Sequence, residues 1–288
     1  MEKVLLIVNP VSGNRDKEPL IQKVRDYLGP KSDFSLYRTT GKDDRSELRS
    51  KIKKTQPDRI VVLGGDGTIK LTTEVCLDNN ILVGILPAGS ANGLATDLKL
   101  PMNIDEALPI AFGSKSSYVD ALNINGEIGL HMSDIGINAE LIANYSESRV
   151  RGHFGYFIKS IPTLLQTEAP YTFEIEVNQE QLQVDAIMVA FANSRKYGTG
   201  AVINPNGNID DGKFELIIFK KFDVLEIIKT LQGEHSLGSD FANIIPTTKA
   251  TVKMKKPLDF QIDGEHYGKT KQVTIKIEHQ AIQIAIGS

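Results

Sequence analysis

The chain has 288 residues, 41% of them hydrophobic and 24% charged, enough for one large domain or for two of ~100–200 residues each. A formal net charge of −3 argues against a nucleic-acid partner. Cys76 is the only cysteine, which excludes an intramolecular disulfide and a cysteine-based zinc site, and the histidines show no ligand spacing. No apolar run reaches the length of a signal peptide or membrane span, so the expectation is a cytoplasmic protein.

In chain order, Val4–Val8 reads as a buried strand that ends in the turn Asn9-Pro10-Val11-Ser12-Gly13. A helix follows with Leu20, Ile21, Val24, Tyr27 and Leu28 on one face, then a strand over Phe34–Tyr37. Asp43 or Asp44 starts a second helix carrying Leu48 and Ile52. Ile60–Leu63 is a buried strand, a helix runs on from Thr68, and Ile81–Leu86 is another strand. After Pro87–Gly93 come a short helix and a longer one over Ile104–Phe112. This alternation predicts a doubly wound parallel α/β domain over residues 1–121.

From about Tyr118 the pattern changes. Asn125-Gly126 marks a two-residue hairpin, and helices are expected over Asn138–Ser146 and Phe154–Gln166. Strands then follow at Tyr171–Val177, Leu182–Asn193, Phe214–Phe219, Ala250–Met254, Leu258–Ile262 and Val273–Ile286, with one helix at Val224–Leu231. Residues 122–288 therefore read as an antiparallel β-sandwich. The lysine clusters at Lys51-Lys53-Lys54, Lys220-Lys221 and Lys249–Lys256 are read as solvated faces, a minority of which dock on anionic lipid.

The most informative stretch is Gly64-Gly65-Asp66-Gly67-Thr68, directly after the apolar run Arg59–Leu63. Glycines let backbone N–H groups approach a phosphate, and the helix that opens there adds donors and a favourable dipole. Asp66, with no evident protein partner, suits Mg²⁺ or a water held on it. By itself the segment also fits an ordinary βα turn. However, Asn9–Gly13 and Pro87–Gly93 are turns of the same kind, and the carboxyl ends of parallel strands share one edge of a sheet. No P-loop motif is present, and Gly65-Asp66-Gly67 does not continue as a dinucleotide fingerprint.

These three turns resemble the signature loops of the diacylglycerol kinase catalytic-domain family, which also includes sphingosine and ceramide kinases and is related to NAD kinases. The likeness extends over the second half. Ala192-Asn193 through Tyr197-Gly198, Asn204-Pro205, Ile209-Asp210-Asp211-Gly212 and Asp263-Gly264-Glu265 each resemble a family element. The resemblance implies a three-layer α/β domain, a β-sandwich and an ATP site in the cleft between them. It implies that Asn9, Pro10, Val11, Ser12, Gly13, Thr40, Gly64, Gly65, Asp66, Gly67, Thr68, Ser90 and Asn92 hold ATP. Asp66 and Asp120 would organise Mg²⁺ through waters. Asn208 and Lys213, by backbone carbonyls, and Asp211, by its carboxylate, would hold a structural Mg²⁺. Glu265 would be the base that accepts the proton of the acceptor hydroxyl.

The implied activity is transfer of the γ-phosphoryl group of ATP to a membrane lipid, at the inner membrane surface. The aromatic stretch Phe154–Ile158 is read chiefly as a core helix and secondarily as a route for acyl chains. No protein partner is evident, and a homodimer is left open. The chain also departs from the family: Lys70 and Leu71 stand where the family has Asn-Glu, Gly93 replaces an aspartate common in bacterial members, and Thr199 interrupts a glycine cluster. These departures keep two other readings open, a soluble small-molecule kinase like the NAD kinases and a nucleotide-binding regulator with reduced catalysis.

Overall fold

A computed structural model describes residues 2–77, 79–139, 169–195, 202–223, 226 and 237–287. Internal contacts divide the chain into two units, Met1–Val119 with Gln280–Ser288, and Asp120–His279. The sequence boundary had left the C-terminal segment with the second unit.

The first unit is an α/β layer structure. Strands β1 (Lys3–Val8), β2 (Asp33–Arg38), β3 (Arg59–Gly64) and β4 (Leu82–Pro87) are parallel, in the order β2-β1-β3-β4. β1 and β3 are buried along nearly their whole length, which is why they read as unbroken apolar runs rather than alternating ones. Helices α1 (Glu18–Leu28), α2 (Asp44–Thr55) and α3 (Asp66–Cys76) connect them, and α4 (Gly93–Asp97) and α5 (Ile104–Ala111) follow β4. Ile21 and Val24 of α1 pack with Ala107, Leu108 and Ala111 of α5 in one core with β1 and β3. At the far edge of β4, Ile284 pairs in parallel with Val83, and the Ile286 N–H donates to the Lys115 carbonyl (3.0 Å).

The second unit is antiparallel and forms the expected β-sandwich. It contains β5 (Ser116–Ile124, from Asp120 onward), β6 (Glu127–Gly129), β7 (Met132–Gly136), β8 (Tyr171–Val177), β9 (Glu180–Ala186), β10 (Met188–Ala192), β11 (Phe214–Phe219), β12 (Ala242–Thr247), β13 (Lys249–Ile262) and β14 (Glu265–Ala285, to His279). β13 serves two sets of strands. Its first half pairs with β8 and its second half with β7, and the register shifts between Lys253 and Leu258, around Pro257. Such a bulge bends a strand enough to carry it from one sheet to the other. Phe173, Phe191, Phe214, Val252, Phe260 and Val273 meet in the core.

Several elements differ from the sequence reading. The two strands expected over 250–262 are one, because the Pro257 irregularity is a bulge and not a loop. The strand expected over Leu182–Asn193 is two, broken at Ile187, whose N–H donates to the Phe219 carbonyl (2.9 Å). β7 and β12 were missed: β7 is short and wholly buried, and Asn243 and Pro246 interrupt the apolar pattern of β12. The helices expected over Phe154–Gln166 and most of Asn138–Ser146 and Val224–Leu231 fall outside the described residues, as do Tyr197–Gly200. Among the described residues, no helix is long and apolar enough to cross a membrane.

Candidate functional site

In the first unit the three glycine-bearing turns follow β1, β3 and β4, and they are locked to one another. In the first turn, the Val11 N–H donates to Asn9 Oδ1 (3.1 Å), and Ser12 Oγ lies 3.1 Å from both the Asn9 and the Ala88 carbonyl oxygens. Gly13 is left-handed at φ 59, and a Cβ there would lie 2.5 Å from the Ala88 oxygen. Only glycine satisfies both constraints. Beneath this turn the buried Lys17 ammonium donates to the Ser12 and Arg15 carbonyls. Burial, with a smaller contribution from the Arg15 charge, pushes the Lys17 pKa down. Pro10 and Val11 are exposed.

The second and third turns touch backbone to backbone. The Ala88 N–H donates to the Gly64 carbonyl (2.8 Å), and a Cβ on Gly65 would stand 2.9 Å from the Gly89 Cα. Asn92, at φ 54, closes the third turn: its Oδ1 accepts from the Gly89 N–H (2.8 Å) and its Nδ2 donates to the Gly89 carbonyl (3.0 Å). Asp66 crosses to the same turn. Its two carboxylate oxygens accept from the Gly93 and Leu94 N–H groups at 2.9 and 3.0 Å, so it caps α4. The sequence reading that Asp66 lacked a protein partner is thereby corrected. The partners are backbone groups, which any residue type supplies.

At the start of α3 no side chain caps the helix, Gly67 is exposed, and the buried Thr68 hydroxyl has no hydrogen-bond partner. Uncapped N–H groups, a waiting hydroxyl and glycines that admit close approach form a donor set that fits an anionic phosphate. Ser90 is exposed on the third turn. Thr40, after β2, bonds within its own turn, its N–H to Asp44 Oδ1 (2.9 Å) and its Oγ1 to the Lys42 carbonyl (2.9 Å). Buried Asp44 also accepts from the Tyr37 hydroxyl (2.6 Å) and the Gly41 N–H (2.8 Å). Burial alone would raise its carboxyl pKa, but these donors outweigh it and hold the group below the usual range.

In the second unit the motif residues are joined by side chains. Asp120 is 0% exposed, and its Oδ2 accepts from the Gly212 N–H at 2.6 Å. Its own N–H donates to the Ile209 carbonyl (2.8 Å), so Asp120 is tied to the Ile209–Gly212 turn at two points. Asn193 Nδ2 bridges the Asp120 and Leu130 carbonyls at 2.9 and 2.8 Å. Asp263 accepts from three successive N–H groups, Leu130, His131 and Met132, at 2.8–3.1 Å. Asp263 and Gly264 are both left-handed (φ 51 and 85), a two-residue hairpin that pairs Ile262 with Glu265. Glu265 is exposed and begins β14, directly after the Asp263-Gly264 turn. Beneath the hairpin, buried Gln261 accepts the Gly264 N–H (2.7 Å) and donates to Asp134 (2.5 Å).

Asn208, Asp211 and Lys213 share one exposed turn, where Asp211 Oδ1 accepts the Lys213 N–H (3.0 Å). Carboxylate and carbonyl oxygens of this kind suit Mg²⁺. Among the described residues, no three His, Cys, Asp or Glu side chains gather as a metal cluster. The carboxylates of Asp66 and Asp120 each accept backbone N–H groups, and the Asp120 side chain is 0% exposed. Sequence reasoning missed Lys17, Asp44, Gln261 and His279. Lys17, Asp44 and Gln261 bond to turns two to five residues away, while His279 reaches Asp120 across 159 positions.

Comparison with known proteins gives the following. Residues 3–124 match the diacylglycerol kinase catalytic domain, and residues 133–286 match the YegS C-terminal NAD kinase beta sandwich-like domain. The chain is 24% identical over 278 residues to a diacylglycerol kinase of Bacillus subtilis, covering 93% of this chain and 91% of that protein. It is 28% identical over 274 residues to the probable lipid kinase YegS of Shigella flexneri, covering 91% and 88%. Its fold is like that of a crystal structure of a diacylglycerol kinase from Bacillus anthracis, with a TM-score of 0.74, 20% identity, and coverage of 99% and 97%.

Proposed function

Because the chain belongs to the diacylglycerol kinase catalytic-domain family, we propose that it is an ATP- and Mg²⁺-dependent lipid kinase, acting on a hydroxyl of a diacylglycerol-like or sphingoid-like lipid at the membrane surface. The observation that carries this reading is the locked set of turns beside the uncapped α3 and the unpartnered Thr68 hydroxyl. Phosphoryl transfer needs chiefly positioning and charge stabilisation, and a rigid array of backbone donors supplies both.

In this reading Asn9–Gly13, Thr40, Gly64–Thr68, Ser90 and Asn92 bind the nucleotide. Bound Mg²⁺ would neutralise charge on the phosphates, and Asp66 and Asp120 would orient it. Asn208, Asp211 and Lys213 would hold a second, structural ion. Glu265 takes the proton of the lipid hydroxyl as that oxygen bonds to the γ-phosphorus and the bond to the ADP oxygen breaks. An exposed carboxylate on a fixed hairpin can meet a lipid hydroxyl without leaving water until the substrate arrives.

The test is an assay with γ-labelled ATP against diacylglycerol, sphingosine and ceramide in mixed micelles, run beside NAD and sugars without detergent. Label in a lipid supports the proposal. Label in a dinucleotide without any lipid requirement would replace it with the soluble-kinase reading; the second matched domain is described as NAD kinase beta sandwich-like. Tight ATP binding with no transfer to any acceptor would leave a nucleotide-binding regulator.

A further inference from the structure

His279 is absent from every motif above, yet it touches the most deeply buried of the motif carboxylates. Its Nδ1 lies 2.8 Å from Asp120 Oδ1. An ionised carboxylate only accepts, so Nδ1 carries the hydrogen of that bond. The ring also lies against Gly212, where an added Cβ would stand 3.1 Å from the same Nδ1. Asp120 Oδ2 takes the Gly212 N–H (2.6 Å), so imidazole, carboxylate and glycine close a ring of contacts. The His279 side chain is 51% exposed and the Asp120 side chain 0%. The histidine is therefore the element of this ring that opens to solvent. Asp120 and His279 are also the first and last residues of the second unit, and Gln280, which follows, is left-handed at φ 54.

A buried carboxylate held by two directed donors on opposite oxygens has little freedom to rotate. We propose that His279 is a positioning residue for the transfer reaction. It fixes the orientation of Asp120 and, through Asp120, the Gly212 amide of the turn that carries Asp211. This rests on the kinase reading for its consequence in catalysis and on geometry alone for its consequence in the turn. Partners that orient a metal-organising side chain typically change metal affinity or activity by 10–100-fold when lost.

The experiment compares His279→Ala with His279→Asn, whose Nδ2 can take the place of the imidazole Nδ1. In the alanine variant the Mg²⁺ concentration for half-maximal activity should rise, or kcat fall, by about 10- to 100-fold, while KM for the nucleotide at saturating Mg²⁺ stays near wild type. Hydrogen exchange at the Gly212 amide, followed by NMR without nucleotide or metal, should accelerate. The asparagine variant should restore most of both. An alanine variant with unchanged Mg²⁺ dependence and kcat overturns the proposal, as does an asparagine variant no better than alanine. If the wild-type protein phosphorylates no lipid, the kinase reading fails, and the exchange measurement still decides the positioning. Unaltered Gly212 protection in His279→Ala would refute it.

Discussion

The two units hold their motif residues by opposite means. In the first, backbone meets backbone: Gly13 against Ala88, Gly65 against Gly89, and N–H groups of one turn on carbonyls of another. In the second, long-range side chains do the holding: Asn193 on two carbonyls, Asp263 on three N–H groups, Asp120 on the Gly212 turn. The first arrangement is sensitive to added atoms and the second to removed ones. Side chains assist there too, with Ser12 on the Ala88 carbonyl, Lys17 on the first turn and Asn92 on Gly89, and Asp66 does so with a carboxylate, on the Gly93 and Leu94 N–H groups.

That carboxylate gives the largest expected effect. Asp66→Ala removes the carboxylate proposed to orient the metal and uncaps α4 at once, so turnover should fall by roughly a thousandfold or more while circular dichroism stays native. Near-normal turnover would reduce Asp66 to a cap. Next, Glu265→Gln should lower kcat by about 10²–10⁴-fold with nucleotide affinity unaltered, since Asp263 and Gln261 hold the hairpin. A kcat within about twofold of wild type would show that Glu265 is a solvated strand residue.

A smaller effect tests the comparison directly. Gly89→Ala would press a methyl into Gly65, costing about 1–3 kcal/mol and weakening nucleotide binding. Unchanged melting and affinity in this variant would show that the turns are not locked. The smallest effect concerns Glu215, buried and donated to by Asn204. Burial is the main cause that pushes its carboxyl above the ordinary range. The Asn204 amide pulls the other way, and the Asp211 charge adds to the rise. A raised native pKa means that the folded state binds the proton more tightly. Its contribution to stability is therefore complete at low pH and is lost as pH rises from the ordinary carboxylate value through the native one. Glu215→Gln keeps an acceptor for Asn204 and escapes that loss. Its melting temperature should match wild type in acid and exceed it by roughly 1–3 °C near neutrality. A pH-independent difference would refute the assignment.

The glycine turns and the switch from α/β to β were legible because their signals are local: apolar run, glycines and helix start are consecutive in the chain. The partners of those turns were not. Asp66 bonds to residues 27 and 28 positions away, and Asp120 to residues 92 and 159 away. In three of these four bonds the donor is a backbone N–H, which leaves no mark in residue identity. The missed β7 and β12 have the same explanation: a short strand is specified by the neighbours it pairs with more than by its own pattern.

The strand residues Ala281–Ala285 belong to the first unit but follow the whole of the second along the chain. On the ribosome, all three glycine-bearing turns therefore emerge long before the segment that pairs with the far edge of β4. The first unit is opened early in synthesis and closed last, and the second can fold in the interval as an insertion within it. Contacts between Val83 and Ile284 span about two hundred residues, so completing this unit carries the slow, entropy-limited closure of a very long loop. A nascent chain that stalls before residue 281 would carry the glycine-bearing turns on a sheet with an open edge, the kind of surface that chaperones cover.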